Sequence, residues 1–221
     1  MARKSTRRKV YKRADHPEQK DERRLMILRA AADELSLVTS VEDFTINLVA
    51  RRVGLAKGTV YLYYKSKSAL LLELLGEAVE TLAIDMGTRF SKLPEPVIAK
   101  QAARIVQDCL MNSTTTRRLP QLLKSLSDKD SGAEHQKFLK RVEPFLNRTD
   151  AIITQRIPGL RPGDGRKIIR YGWGLLVGLS EMTKHHPKSP VPINVEQSLK
   201  DALTLIVEGL LVRVRDRQHP G

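Results

Sequence analysis

Apolar residues recur along this chain at spacings of three and four, and no stretch alternates apolar with polar as a half-buried strand would. That periodicity commits the backbone to helices that each bury one face, and it leaves no need for a sheet. The chain is therefore expected to be all-α. Its 221 residues, 41% of them apolar, suffice for one large domain or two small ones with a real core.

Stripes and breakers place the helices. A first helix over residues 21–37 puts Ile27, Leu28, Ala31, Ala32 and Leu35 on one face. A short second helix follows Thr45, a good N-cap, carries the stripe Ile46, Val49, Ala50 and Val53, and stops at Gly54. The third covers 57–64; the fourth begins after Ser66, another capping residue, and runs to about 93, where Pro94 and Pro96 break the chain. Further helices are expected over 97–112, 117–127, 133–157, 165–185 and 195–217, for about nine in all. Asn194 with Gln197 reads as a capping box for the last.

A formal charge of +14 points to a polyanionic partner. The bias is mainly N-terminal: residues 1–13 carry seven basic groups and no acid, residues 45–68 five and none, whereas 69–165 nearly balance at 14 against 12. Residues 1–20 read as a basic, flexible arm, either solvated or touching nucleic acid. No apolar run approaches the roughly 18 residues of a membrane span, and no apolar segment or cleavage site follows the basic N-terminus as in a signal peptide. A cytoplasmic protein with no membrane partner is expected. Cys109, the single cysteine, cannot form an intrachain disulfide and reads as a small buried apolar residue.

A helix ending at Val53, a turn opened by Gly54 and a second short helix from Lys57 make a helix-turn-helix arrangement, although many core helix pairs share that spacing. The second helix adds chemistry. Lys57, Thr59, Tyr61 and Tyr63 offer a cation, a hydroxyl and phenols to a groove, while Val60, Leu62 and Tyr64 are expected to pack inward.

Residues 25–75, with Ala30-Ala31-Ala32 and then TINLVARRVGLAKGTVYLYYKSKSALLLELL, resemble the DNA-binding domain of the tetracycline-repressor (TetR) family of bacterial regulators. The resemblance implies a three-helix helix-turn-helix domain over 21–68, followed over 69–221 by a larger helical domain for ligand binding and dimerisation. It also implies roles for particular residues. Thr45 matches a phosphate-meeting position at a helix start, which suits an anion, and Asn47 a position that can reach a base edge. Lys57, Gly58, Thr59 and Tyr61 match recognition-helix positions: Lys57 can donate to guanine, Gly58 allows close approach, and Thr59 or Tyr61 can touch a thymine methyl or a phosphate. Tyr63 and Lys67 match the phosphate-gripping end, with Lys65 assisting. Ser36, Ser40, Leu48 and Ala56 depart from the family's pattern, and Ala56 cannot cap the recognition helix with its side chain.

In the larger domain the last two helices look like a dimer face. Leu175, Leu176, Leu179 and Met182, and Leu199, Leu203, Ile206, Val207, Leu210 and Val214, form apolar stripes, and Gly172, Gly174 and Gly178 would let backbones approach; an intramolecular core is the alternative. A homodimer would present two reading heads to a pseudo-palindromic operator on double-stranded DNA. Cys109, Met111, Leu122, Leu123, Phe138, Phe145 and Trp173 either line a pocket for a small-molecule effector, whose class is unreadable, or are ordinary core. His135, His185 and His186 lack partners at metal-ligand spacing, and no phosphate loop or nucleophile elbow occurs. Neither a metal, a cofactor nor enzymatic activity is expected. The reading is a transcriptional repressor released by a ligand; the alternative is a DNA-binding architectural factor that needs no effector or answers to another protein.

Overall fold

The computed structural model describes residues 16–112, 132–185 and 193–215. These residues carry eight helices and no strand: α1 (Pro17–Leu37), α2 (Ile46–Val53), α3 (Lys57–Tyr63), α4 (Lys67–Ser91), α5 (Ala99–Asn112), α6 (Gly132–Arg156), α7 (Asp164–His185) and α8 (Val195–Arg215). The basic arm up to residue 15, the helix expected over 117–127 with Leu122 and Leu123, and the side chains of His185, His186 and Val214 lie outside the described residues.

Helix α1 starts before the expected residue 21 because Pro17 occupies its first turn, where a missing N–H costs nothing. Three other starts follow their caps. The Thr45 hydroxyl accepts from Leu48 N at 3.3 Å, the Ser66 hydroxyl from Ala69 N at 3.0 Å, and Asn194 Oδ1 from Gln197 N at 3.0 Å. Gly54 ends α2 in the left-handed region at φ 69°, and the chain then folds back so that Leu55 N donates to Ala50 O at 2.9 Å. Helix α6 runs on through Pro144, which sits at an exposed position.

Packing divides the chain into two compact units. The first holds α1, α2, α3 and α4 as far as Leu75, with the opening residues 132–135 of α6. Its buried residues come from every element: Ile27, Leu28, Ala31 and Leu35, then Val41 and Phe44, Ile46, Val49, Ala50 and Val53, Val60 and Tyr64, and Leu70, Leu71, Leu74 and Leu75.

The second unit is built on the rest of α4, on α5, on most of α6, and on α7 and α8. Leu82, Met86 and Phe90 of α4 share a core with Ala102, Ala103, Val106 and Leu110 of α5, Ile153 of α6, Ile168, Ile169 and Leu176 of α7, and Leu199, Leu203 and Val207 of α8. Cys109 belongs to this core, with Met111 and Trp173 packed partly against it. Burial, then the neighbouring Asp85 carboxylate 3.4 Å from its sulfur, pushes the Cys109 thiol up to about 12. Buried Gln107 donates to Glu196 O at 2.8 Å, tying α5 to the start of α8.

The last two helices split their apolar residues between two faces. Leu176, Leu199, Leu203 and Val207 turn into their own unit's core, so they cannot serve a partner, and Ile206 and Leu210 pack partly against it. Gly172 likewise faces inward, where an added Cβ would sit 2.8 Å from Leu203. The outward stripe is a different set: Tyr171, Gly174, Gly178 and Met182 on α7, with Leu205, Gly209 and Val212 on α8.

The turn between α6 and α7 is clamped by two carboxylates. Asp150 accepts from Gly163 N at 2.8 Å and from Arg166 N at 3.1 Å, while buried Asp164 accepts from Arg161 N at 3.0 Å and pairs with Lys167 at 2.9 Å. A Cβ on Gly165 would lie 2.9 Å from the Asp150 Cα and 3.1 Å from its carbonyl oxygen, backbone that cannot swing aside. Gly165→Ala is therefore expected to destabilise the protein by about 2 kcal/mol, read as a lowered urea midpoint; an unchanged midpoint would show that this approach is not tight.

Candidate nucleic-acid interface

Helix α3 exists because one of its residues and the residue that caps its end reach the core. Val60 and Tyr64, four residues apart, are 0% and 2% exposed. The Tyr64 hydroxyl donates to Arg24 O at 3.3 Å, the Arg24 guanidinium lies 4.8 Å from the ring centre, and Arg24 pairs with Glu73 at 3.1 Å. Tyr64 is thus a core aromatic anchored on α1 through Arg24, which in turn pairs with α4. Ala56 makes no side-chain cap, as its side chain requires.

With that ridge inward, the opposite side of α3 is free. Lys57, Gly58 and Tyr61 are exposed, Thr59 and Tyr63 half-buried. The Lys57 ammonium sits 5.9 Å from the Tyr61 ring, close enough for a cation–π contact that holds both toward solvent. Nothing lies within 4 Å of where a Gly58 Cβ would be. Leu62 does not pack inward as the sequence reading had it: it is 83% exposed. At about 100° per residue, two positions carry it about 200° from Val60, to the far side of the helix. That spacing was the signal available in the sequence.

Helix α2 packs against both α1 and α3. It buries Ile46, Val49, Ala50 and Val53, which leaves Thr45 and Asn47 exposed at its start and Arg51 exposed near its end. Arg52 is committed elsewhere, with Nε 2.6 Å from a Glu34 oxygen, locking α2 to α1.

Lys67 is also partly committed. Its ammonium donates to Val41 O at 2.8 Å and lies 3.4 Å from Glu42 O, with the Phe44 ring 5.9 Å away. It thereby fixes the turn that delivers Thr45 to α2. Burial draws its pKa below the ordinary lysine value, against the pull of Glu42 and Asp43. An ammonium has three donors, so one remains for an anion. Lys65 is exposed.

The surface so assembled carries Thr45, Asn47, Lys57, Gly58, Thr59, Tyr61, Leu62 and Tyr63, and from 45 to 68 no acidic residue. An α-helix about 10–12 Å across fits a DNA major groove about 12 Å wide. Cations and hydroxyls at its edges suit phosphates, and the ridge between them suits base edges. Among the described residues no His, Cys, Asp and Glu groups gather as a metal ion needs, and no helix is long and apolar enough to cross a membrane.

Comparison with known proteins agrees with this geometry. Residues 27–74 match the family described as bacterial regulatory proteins, tetR family. No curated protein matches the sequence significantly. Among solved structures, the fold resembles the multidrug binding protein EbrR complexed with imidazole (TM-score 0.56, 16% identity, 83% of this chain and 94% of that one). It also resembles the transcriptional regulator FadR from Bacillus subtilis in complex with stearoyl-CoA (0.55, 19%, 84% and 98%). A third likeness is to a TetR transcriptional regulator from Rhodococcus sp. RHA1 (0.52, 19%, 86% and 97%). At these identities the likeness is one of fold. The sequence match lies on the helix-turn-helix itself, so residues 27–74 are similar to the tetR family of bacterial regulatory proteins.

Proposed function

We propose that this protein is a cytoplasmic, non-enzymatic, homodimeric transcriptional regulator that reads a pseudo-palindromic operator and represses until a small molecule releases it. The observation that carries the reading is the outward face of α3, an acid-free recognition surface set opposite a buried ridge. Thr45 contacts phosphate, Asn47 and Lys57 reach bases, Gly58 admits close approach, and Thr59 or Tyr61 touches a thymine methyl or a phosphate. Tyr63 and the remaining donor of Lys67 hold the backbone. The reading domain runs from the start of α1 to residue 68, with the basic arm ahead of Pro17 instead of reaching residue 20, and the effector and dimer domain covers 69–221.

The outward stripe on α7 and α8 supports the dimer. Its members are spaced by three and four, and a Cβ added at Gly174, Gly178 or Gly209 would meet nothing within 4 Å in its own subunit. Small residues in such a stripe let a partner's helices come close. Two of the proteins of similar fold were solved with small molecules, imidazole in one and stearoyl-CoA in the other, which supports an effector in the second unit. Release requires that the effector bind the non-operator form more tightly, since equal affinity for both forms shifts nothing.

Selection of genomic DNA fragments retained at physiological salt tests the function. A two-fold motif with half-sites about one helical turn apart is expected; retention with no shared motif would leave a charge-driven architectural factor instead. Lys57→Ala and Tyr61→Ala should weaken binding and blur the motif, each by about 1–3 kcal/mol at the affected base. Lys67→Ala should weaken binding to every sequence and reduce the salt slope by about one; an unchanged slope would leave Lys67 only its hold on the 41–42 carbonyls. In sedimentation the protein should run as a dimer, and Leu205→Glu should give monomers that bind the full operator about 100-fold less tightly. A Leu205→Glu protein that stays dimeric would put the interface elsewhere.

A further inference from the structure

Among the described residues no large apolar side chain is more exposed than Leu62, at 83%. Isolated exposed leucines are common and mean little by themselves. Position distinguishes this one. It stands opposite Val60 and Tyr64, at the outermost line of α3, and Gly58 lies one turn ahead of it with open space where a side chain would be. Helical side chains lean toward the N-terminus, so Leu62 overhangs the notch left by Gly58. Its neighbours on the same helix, Lys57, Thr59, Tyr61 and Tyr63, all carry polar groups.

Every one of those neighbours can hydrogen-bond a phosphate or a base edge, and Leu62 cannot. Phosphates therefore offer it nothing. On the floor of the major groove the apolar feature that distinguishes one base from the rest is the C5 methyl group of thymine. We propose that Leu62 reads a thymine methyl at one position of each half-site, making it a specificity-determining residue flanked by polar contacts. The proposal rests on the DNA-reading function above and names what that surface recognises.

The test uses the full-length protein and the duplex that it selects, with each thymine replaced singly by deoxyuridine, which removes the methyl and nothing else. Wild-type protein should lose about four-fold in affinity at one thymine per half-site, the worth of one buried methyl. Leu62→Ala, whose exposed position spares the fold, should bind the thymine duplex about four-fold more weakly per half-site and be indifferent to the same replacement. If Leu62→Ala keeps the full thymine-over-uracil preference, or no single replacement affects wild type, the inference is overturned while the operator stands. If wild type selects no motif at all, the DNA-reading function fails and the inference fails with it. Circular dichroism of Leu62→Ala checks that α3 is intact.

Discussion

Helix α3 has seven residues and no capping side chain, too few and too poorly ended to hold a helical shape in isolation. What keeps it is the burial of Val60 and Tyr64 against the rest of its unit. Each outward residue then takes its bearing from that ridge. Leu62 points away because Val60 points in, and Lys57 and Tyr61 share a flank because they are one turn apart. A recognition surface of this kind is rigid only as far as its reverse side is packed. The guanidinium of Arg24, stacked on Tyr64 and paired with Glu73, thus supports the outward face of α3 from its buried side.

Charge in this unit serves two purposes. Arg24, Arg52 and Lys67 are tied to carboxylates or carbonyls and hold elements together, whereas Arg51, Lys57 and Lys65 stand exposed. Formal charge counts them alike. Only the second set is wholly available to counter a phosphate backbone, so the net +14 overstates what the folded surface offers.

Much of the fold was legible because its signals are local. Thr45, Gly54, Ser66 and Asn194 act within a turn of themselves, and each ends or begins a helix as its chemistry dictates. The start of α1 was placed four residues late, because Pro17 opens the helix as a first-turn residue. Apportioning faces was harder. Helix α8 is apolar on two sides, with Leu203 and Val207 turned to the core and Leu205 and Val212 turned out, and periodicity alone does not say which stripe meets which neighbour. Contacts distant in sequence were invisible: the hold of Lys67 on the 41–42 carbonyls and the Asp150 clamp depend on how segments meet in space. Leu62 was legible in principle and lost by grouping it with alternate residues, a strand's period applied to a helix.

Gly174, Gly178 and Gly209 lie within helices, and each faces open space. Inside a helix glycine costs about 1 kcal/mol relative to alanine, so the three together withhold about 3 kcal/mol from an isolated subunit. The fold of that subunit draws no close approach from them in return. In the dimer proposed above a partner's helices would fill that space, and the stability of α7 and α8 would then depend on protein concentration.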